Sequence, residues 1–404
     1  MSDVAPKGWR QLPLADCGRW VSGGTPSRQT ASFWGGDIPW ISAKSLKQFD
    51  VVTSEEQVTE AGAAECSQVP AGTVLFVVRG MSLAKEFRVG VATRPVTFNQ
   101  DLRGIIPHGD VDGRYLGRFL AFAAPLVLAG ADNASHGTMR LNSADLQALV
   151  VPMPPLPEQK RIATILGKAE CIRRRRQEAV DLTETLAEAI FTDVFGSMRA
   201  ESSDWPVRRM EELFEAQPNY GSMEVPVGER NGVARWLDLR VANIQDGKLD
   251  LTSRKYVALQ PEMLERHVVL DGDLLLARAI GSADHLGKCI IARPNGEDWA
   301  FDSHLMRVRF RRDLVEPDFI HGYLTGSAGR HEFLRNSRRS AVQFNINTKE
   351  FAEIRVPLPP LDRQREYLRL LNRIRRVEER QIRAEEEASS LFDSLAQRAF
   401  RGEL

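Results

Sequence analysis

The stretch Val151-Pro152-Met153-Pro154-Pro155-Leu156-Pro157-Glu158-Gln159 occurs a second time, lightly altered, as Val356-Pro357-Leu358-Pro359-Pro360-Leu361-Asp362-Arg363-Gln364. The two glutamines lie 205 positions apart, and Asn142 and Asn347 keep that offset. Farther upstream, Trp9 matches Trp205 and Trp40 matches Trp236 at an offset of 196. Gly72 matches Gly272 at 200, and Arg94-Pro95 matches Arg293-Pro294 at 199. One such match could arise by chance; an ordered set along the whole chain could not. A slowly drifting offset is what loops of unequal length produce. The chain is read as a duplicated unit of about 200 residues, far longer than the ~20–50-residue period of a solenoid.

Each proline cluster is followed by about 40 residues that can continue as a helix, since proline is tolerated only in a helix's first turn. Glu158 and Asp362 stand where the helix dipole favours an acid. Ile162, Ile165, Ala169, Ile172, Leu182, Leu186 and Ile190 form an apolar stripe in the first copy. Leu368, Leu371, Ile374, Val377, Ala384, Ala388, Leu391, Leu395 and Ala399 do so in the second. Gly196 and Gly402 supply helix stops. At 1.5 Å per residue each helix makes a rod of about 60 Å, too thin to bury its stripe alone, so the two are expected to pair as a coiled coil. Charge favours the antiparallel arrangement. It sets Arg173, Arg174, Arg175 and Arg176 near Glu385, Glu386 and Glu387, and Glu184 and Glu188 near the arginines at 369–376. The four-arginine run also reads as a solvated face, or as a contact to phosphate or a partner subunit.

Before each hinge the pattern is mixed. Thr73-Val74-Leu75-Phe76-Val77-Val78 and Asp273-Leu274-Leu275-Leu276-Ala277 read as buried strands. Residues 115–129 and 318–324 read as helices. The fold class expected is α+β: two similar globular domains at 1–156 and 201–356, alternating with two long helices at 157–200 and 357–404. The helices are expected to pack as an antiparallel coiled coil that relates the copies by a pseudo-two-fold.

The chain has 404 residues, with apolar residues at 43% and charged residues at 27%, the profile of an ordinary globular protein. No apolar run approaches the ~20 residues that span a bilayer, and the polar start lacks the apolar core of a signal peptide, so a cytoplasmic location is expected. Cys17, Cys66, Cys171 and Cys289 form no C-x-x-C pair and read as reduced structural residues. The seven histidines are scattered, with no metal-ligand spacing. A methyltransferase would need a glycine-rich cofactor loop and an N/D-P-P-Y/F stretch. A phosphate-cradling loop needs G-x-x-x-x-G-K-[ST], but in Gly281 to Cys289 the first glycine is misplaced and Cys289 replaces the hydroxyl. The acid and lysine of a P-D…E-x-K nuclease core do not follow Pro317-Asp318. The chain is therefore expected not to be an enzyme by itself.

A duplicated globular domain, a hinge P-x-P-P-L-x-x-Q and a ~40-residue helix, ending in F-x-G in the second copy, resembles the specificity (S) subunit of Type I restriction–modification systems. The resemblance also rests on Gly8-Trp9, Ile38-Pro39-Trp40-Ile41, Asn99-Gln100 and the terminal Gln397-Arg398-Ala399-Phe400-Arg401-Gly402-Glu403-Leu404. It implies two target-recognition domains, each reading one half of a bipartite, asymmetric sequence in double-stranded DNA. It implies two methyltransferase (M) subunits docked on the helices, with restriction (R) subunits joining where present. The cofactors then belong to the partners: S-adenosylmethionine to the M subunits, ATP and Mg to the R subunits, none to this chain. The activities of the complex would be adenine-N6 methylation and DNA cleavage. Two departures stand out: Asp362-Arg363 replaces Pro157-Glu158, and Asp302-Ser303-His304 stands near the place of Asn99-Gln100.

Basic and amide residues in loops are the candidates for DNA contact, since phosphate contacts position a protein and base-edge contacts specify its target. In the first domain these are Lys44, Arg79, Lys85, Arg88, Asn99, Gln100, His136 and Arg140. In the second they are Arg240, Arg278, Lys288, Arg335, Arg338, Arg339, Gln343 and Asn345. Trp40 and Trp236 are expected in the two cores. The alternative class is a duplicated coiled-coil adaptor that binds proteins only. Lys and Arg total 54 against 54 Asp and Glu, and the four segments carry net charges of 0, +1, −2 and +1. Any DNA-binding charge must then be concentrated on one face, and strong binding is expected only with the M subunits present.

Overall fold

The computed structural model describes residues 8–135, 138–230, 232–245, 247–280, 288–339 and 344–404. It divides into two compact units, Met1–Glu178 with Ile382–Leu404, and Ala179–Gln381. Each long helix thus contributes one half to each unit.

In the first unit, the apolar run at Val74–Val77 becomes a fully buried strand. It sits inside a five-stranded sheet ordered Gly18–Ser22, Leu102–Pro107, Val74–Val77, Val89–Ala92, Asp50–Val51. A second sheet is built on a parallel pairing of Trp34–Ile41 with Val96–Phe98, flanked by Gln57–Val58 and Gln68–Val69. The predicted helix at 115–129 is two helices, Gly113–Phe122 and Ala124–Ala129. The break falls at Ala123, and Pro125 in the first turn of the second helix lacks the N–H that a continuous helix would bond to the Ala121 carbonyl. Arg10–Pro13 pairs antiparallel with Val150–Met153 and ties the start of the domain to the proline hinge.

The second unit repeats this order with its own loops. Leu274–Ala277 is again fully buried. It lies in a sheet ordered Phe214–Tyr220, Leu305–Phe310, Leu274–Ala277, Cys289–Ile291. Trp236–Leu239 runs parallel to Trp299–Phe301, and Val207–Arg209 pairs with Arg355–Pro357. Asn142 and Asn347, the residues that kept the 205 offset, are both side-chain N-caps, of Ser143–Gln147 and Thr348–Ala352. Gly72 and Gly272 share a positive φ, 87° and 85°, ahead of the central strand.

The long helices are Leu156–Phe195 and Leu361–Phe400, 40 residues each. Gly196 and Gly402 follow them with φ of 66° and 71°, the left-handed stop that glycine adopts without cost. In the first unit the start of one helix lies beside the end of the other. Arg161 donates to the Leu404 carbonyl at 2.8 Å, and Phe400 packs against Tyr115, Phe119 and Phe122 at 5.6, 5.4 and 5.0 Å. The second unit shows the converse. Phe195 packs against Phe319 and Tyr367 at 5.0 and 5.4 Å, and Arg363 donates to the Val194 carbonyl at 3.3 Å. Both pairings are antiparallel.

Apolar packing at the helix ends carries this orientation. Arg173 and Arg174 pair with Glu170 and Glu178 on their own helix, and Arg173 also covers the Phe392 ring at 4.9 Å. The side chains of Glu184 and Glu188 lie outside the described residues. The predicted stripe is buried at Ile162 and Ala169 and half-buried at Ile165, but Ile172, Leu182 and Leu186 are exposed, Leu182 by 68%. Helix ends sit against the domains, where aromatic side chains cover them; the middle turns have fewer neighbours.

The hinge glutamines explain why each helix leaves its domain as it does. Both are 0% exposed. The Gln159 oxygen accepts the Asp112 N–H at 2.8 Å, while its nitrogen donates to the Asp110 and Pro154 carbonyls at 3.0 and 2.8 Å. The Gln364 oxygen accepts the Glu316 N–H at 2.8 Å, and its nitrogen donates to the Leu314 and Pro359 carbonyls at 3.3 and 2.7 Å. One amide thus satisfies a helix N-terminus and the proline hinge together. Gln159→Leu or Gln364→Leu leaves these groups buried and unpaired, a cost of about 1–3 kcal/mol each. Hydrogen exchange should accelerate in Gly113–Phe122 for the first variant and in Pro317–Thr325 for the second. Unchanged exchange in both helices would contradict this role.

Candidate nucleic-acid interface

Backbone hydrogen bonds establish which residues of the two domains correspond. Asn99 N–H donates to Ile41 O, and Asp302 N–H donates to Leu239 O, each at 2.9 Å. Asn99-Gln100-Asp101 therefore corresponds to Asp302-Ser303-His304. The same turn is built twice: the Asp101 N–H bonds the Asn99 side chain at 3.2 Å, and the His304 N–H bonds the Asp302 side chain at 3.0 Å. The second domain has a counterpart of Asn99-Gln100 after all, with different side chains on the same backbone.

This correspondence corrects two sequence matches. Ile41 aligns with Leu239, so Trp40 stands opposite Asp238 and not Trp236. Trp40 is buried, its indole N–H bonded to Gly24 O at 3.0 Å, whereas Trp236 is only half-buried. Ala92 and Ala292 bond alike to Thr73 and Asp273, which places Arg293 opposite Thr93, one residue away from Arg94. Sequence matching preferred like residues where loops had shifted the frame.

Behind each turn lies a small three-stranded sheet, again in one register. In the first unit Arg79–Gly80 pairs with Thr138–Leu141, which pairs with Ala131–Ser135; Arg140 stands between Arg79 and Asp132. In the second, Ala279–Ile280 pairs with Phe344–Asn345, which pairs with Arg338–Arg339; Asn345 stands between Ala279 and Arg338. The Val78 and Arg79 N–H groups close on Asp101 O, as the Arg278 N–H closes on His304 O. The turn and the sheet therefore form one edge in each domain.

Of the sequence candidates in the first domain, Arg79 and Arg140 come together on this edge, with Gln100 on the adjoining turn, where it accepts the Thr25 hydroxyl at 2.7 Å. Lys44 and Lys85 are exposed on other loops. Asn99 is 7% exposed and its amide is spent on Asp101. Arg88 is half-buried, paired with Glu86 and bonded to Ala43 O at 2.9 Å. It lines a cavity of about 980 Å³ together with Phe49, Arg118, Glu170 and Phe392. His136 and Gln343 lie outside the described residues, as do the side chains of Arg338 and Arg339.

In the second domain, Arg278 and Asn345 flank the edge. Arg278 lies over the Tyr220 ring at 4.6 Å, and its carbonyl accepts the Ile346 N–H at 3.0 Å. Lys288 opens the strand beside Ala277. Arg335 is drawn away by Glu201 and Glu332 at 3.3 and 3.6 Å, and Arg240 faces Ser253 O at 3.4 Å. Thr25 and Asp132, neighbours of Gln100 and Arg140 on this edge, were not among the sequence candidates, because a threonine and an aspartate carry no basic or amide signal.

Asp238, in the place of Trp40, is 3% exposed. Burial, and then the neighbouring Asp302 carboxylate, push it up to about 7, against the pull of Arg240 and Lys255. A carboxyl at about 7 when folded and near 3.8 when unfolded takes up a proton on folding between those values. Its stabilising contribution is complete below the unfolded value and is lost as pH rises through about 7. Asp238→Asn should flatten the fall in thermal midpoint from pH 5 to pH 8; profiles parallel to wild type would assign the pH dependence elsewhere.

Residues 6–179 match the family described as Type I restriction modification DNA specificity domain. The specificity subunit of the Escherichia coli Type I restriction enzyme EcoR124I/EcoR124II is 32% identical over 162 residues, 39% of this chain and 40% of that subunit. The StySPI specificity subunit of Salmonella potsdam is 22% identical over 424 residues, 99% of this chain and 90% of that one. The crystal structure of the Type I S subunit from M. genitalium has a TM-score of 0.58 at 11% identity, covering 99% of this chain and 98% of that one, a likeness of fold. The matched stretches span less than half the length of the EcoR124I/EcoR124II and Methanocaldococcus jannaschii MjaIX subunits, 40% and 44%. Residues 6–179 thus belong to the Type I restriction modification DNA specificity domain family, and the whole chain has the sequence likeness and the duplicated fold of Type I specificity subunits.

Proposed function

We propose that the chain is the DNA-reading subunit of a Type I restriction–modification complex, with each globular domain reading one half of a bipartite, asymmetric target. One observation carries the reading: the turn-and-sheet edge is built twice on the same hydrogen-bond frame and bears different polar groups in the two domains. Equal frames hold two readers in equivalent poses; unequal side chains give them unequal targets. The chain itself performs no catalysis. Methylation would come from two M subunits carrying S-adenosylmethionine, and cleavage from R subunits using ATP and Mg, all in the cytoplasm.

Docking of the M subunits is supported by the long helices. Ile172, Ile382 and Leu391 in the first unit, and Leu182, Leu186 and Val377 in the second, are apolar and exposed on them. Exposed apolar residues on a helix are the material of a helix-to-helix interface.

Two measurements test the reading. Binding of the chain with its M subunits to a random duplex should fall steeply with salt, because phosphate contacts release counterions; a flat response would favour a protein-only adaptor. Exchange of residues 9–151 for those of another family member should change only one half of the methylated motif, as read by sequencing modified bases. A change in both halves would refute one reader per domain.

A further inference from the structure

Five arginines of the first domain have acids beside them: Arg10 has Asp110, Arg28 has Glu56, Arg88 has Glu86, Arg114 has Asp50 and Arg118 has Glu170. Arg79 and Arg140 differ. Both are exposed, and they stand directly opposite each other on neighbouring antiparallel strands. Such a pairing brings Cβ atoms to about 4.5–5.5 Å with both side chains on one face, and like charges there are destabilising. Asp132 faces Arg140 from the third strand, yet among the described residues no ion pair joins an acid to either guanidinium. The corresponding pair in the second domain is Ala279 and Asn345, so the frame does not require two cations.

Resting on the reading of this edge as a DNA interface, we infer that Arg79 and Arg140 together grip one DNA backbone phosphate. The second domain holds its half-site without this grip. A phosphodiester carries one negative charge on two outward oxygens and can accept a charge-assisted hydrogen bond from each guanidinium. Bound between them, it relieves their mutual repulsion. The grip positions the first domain without reading sequence, and the two halves of the duplex are held with unequal ionic contributions.

The test uses the full-length chain and a fluorescent random-sequence duplex, with affinity followed against salt. Each neutralised phosphate contributes about 0.9 to the slope of log K against log salt. The double variant Arg79→Ala, Arg140→Ala should lower that slope by about 1, and each single variant by less, because the other arginine remains. A loss of about 2 in the double variant would mean two separate phosphates and overturn the shared grip; an unchanged slope would overturn the site altogether. Ala279→Arg should raise the slope by building part of the missing grip. Thermal melting separates contact from fold: removing one of two opposed cations should leave the midpoint unchanged or higher, and a lower midpoint in both single variants would make the pair structural. A wild-type chain whose affinity ignores salt, alone and with its M subunits, would refute the DNA-reading function itself, whereas a salt-dependent wild type with unaffected variants refutes only the grip.

Discussion

One buried amide in each unit decides how a 40-residue helix leaves its domain. Gln159 and Gln364 each accept a hydrogen bond from the N-terminus of a domain helix and donate to the proline hinge and a loop carbonyl. A carboxamide suits the position because it donates and accepts at once without carrying charge into the core. Glutamate would bring a charge and no donor; leucine would bring neither. With the hinge held, the first helical turns are seated, and the stripe beginning at Ile162 faces the core.

From that seat the rest of the architecture follows. The other end of each long helix is an aromatic plug: Phe400 among Tyr115, Phe119 and Phe122, and Phe195 beside Phe319 and Tyr367. Burying plugs of this size contributes more free energy than exposed ion pairs do. This is why orientation rests on them and not on the arginine and glutamate runs. The copies have also diverged inside this shared plan. Gly322, on the second domain's helix, lies so close to Phe191 and Tyr367 that a Cβ there would sit 2.7 Å from the phenylalanine ring. Arg118, on the corresponding helix of the first domain, is almost wholly buried over Phe49 and beside Glu170.

Duplication with divergence is also what the turn-and-sheet edge shows. The turn that holds Asn99 holds Asp302 in the second domain, and the strand that holds Arg140 holds Asn345. A backbone conserved in hydrogen bonding and free in side chain separates positioning from specificity. The polar side chains of the edge can vary while the hinge glutamine and the helix plugs are kept.

The duplication, the two long helices and their hinges were legible in the sequence because they rest on local rules. Proline is confined to a helix start, glycine adopts the left-handed stop, and an apolar run of strand length is buried. The paired asparagine caps Asn142 and Asn347 belong to the same class. Tertiary structure alone decided the equivalence of Trp40 with Asp238, because that depends on which strand carbonyl receives the N–H of a residue some sixty positions away. It alone separated the arginines with acids beside them from Arg79 and Arg140, and turned Asn99 inward. Ion pairing and burial are properties of neighbours in space, and the neighbours of a loop residue are brought to it by the folding of distant strands.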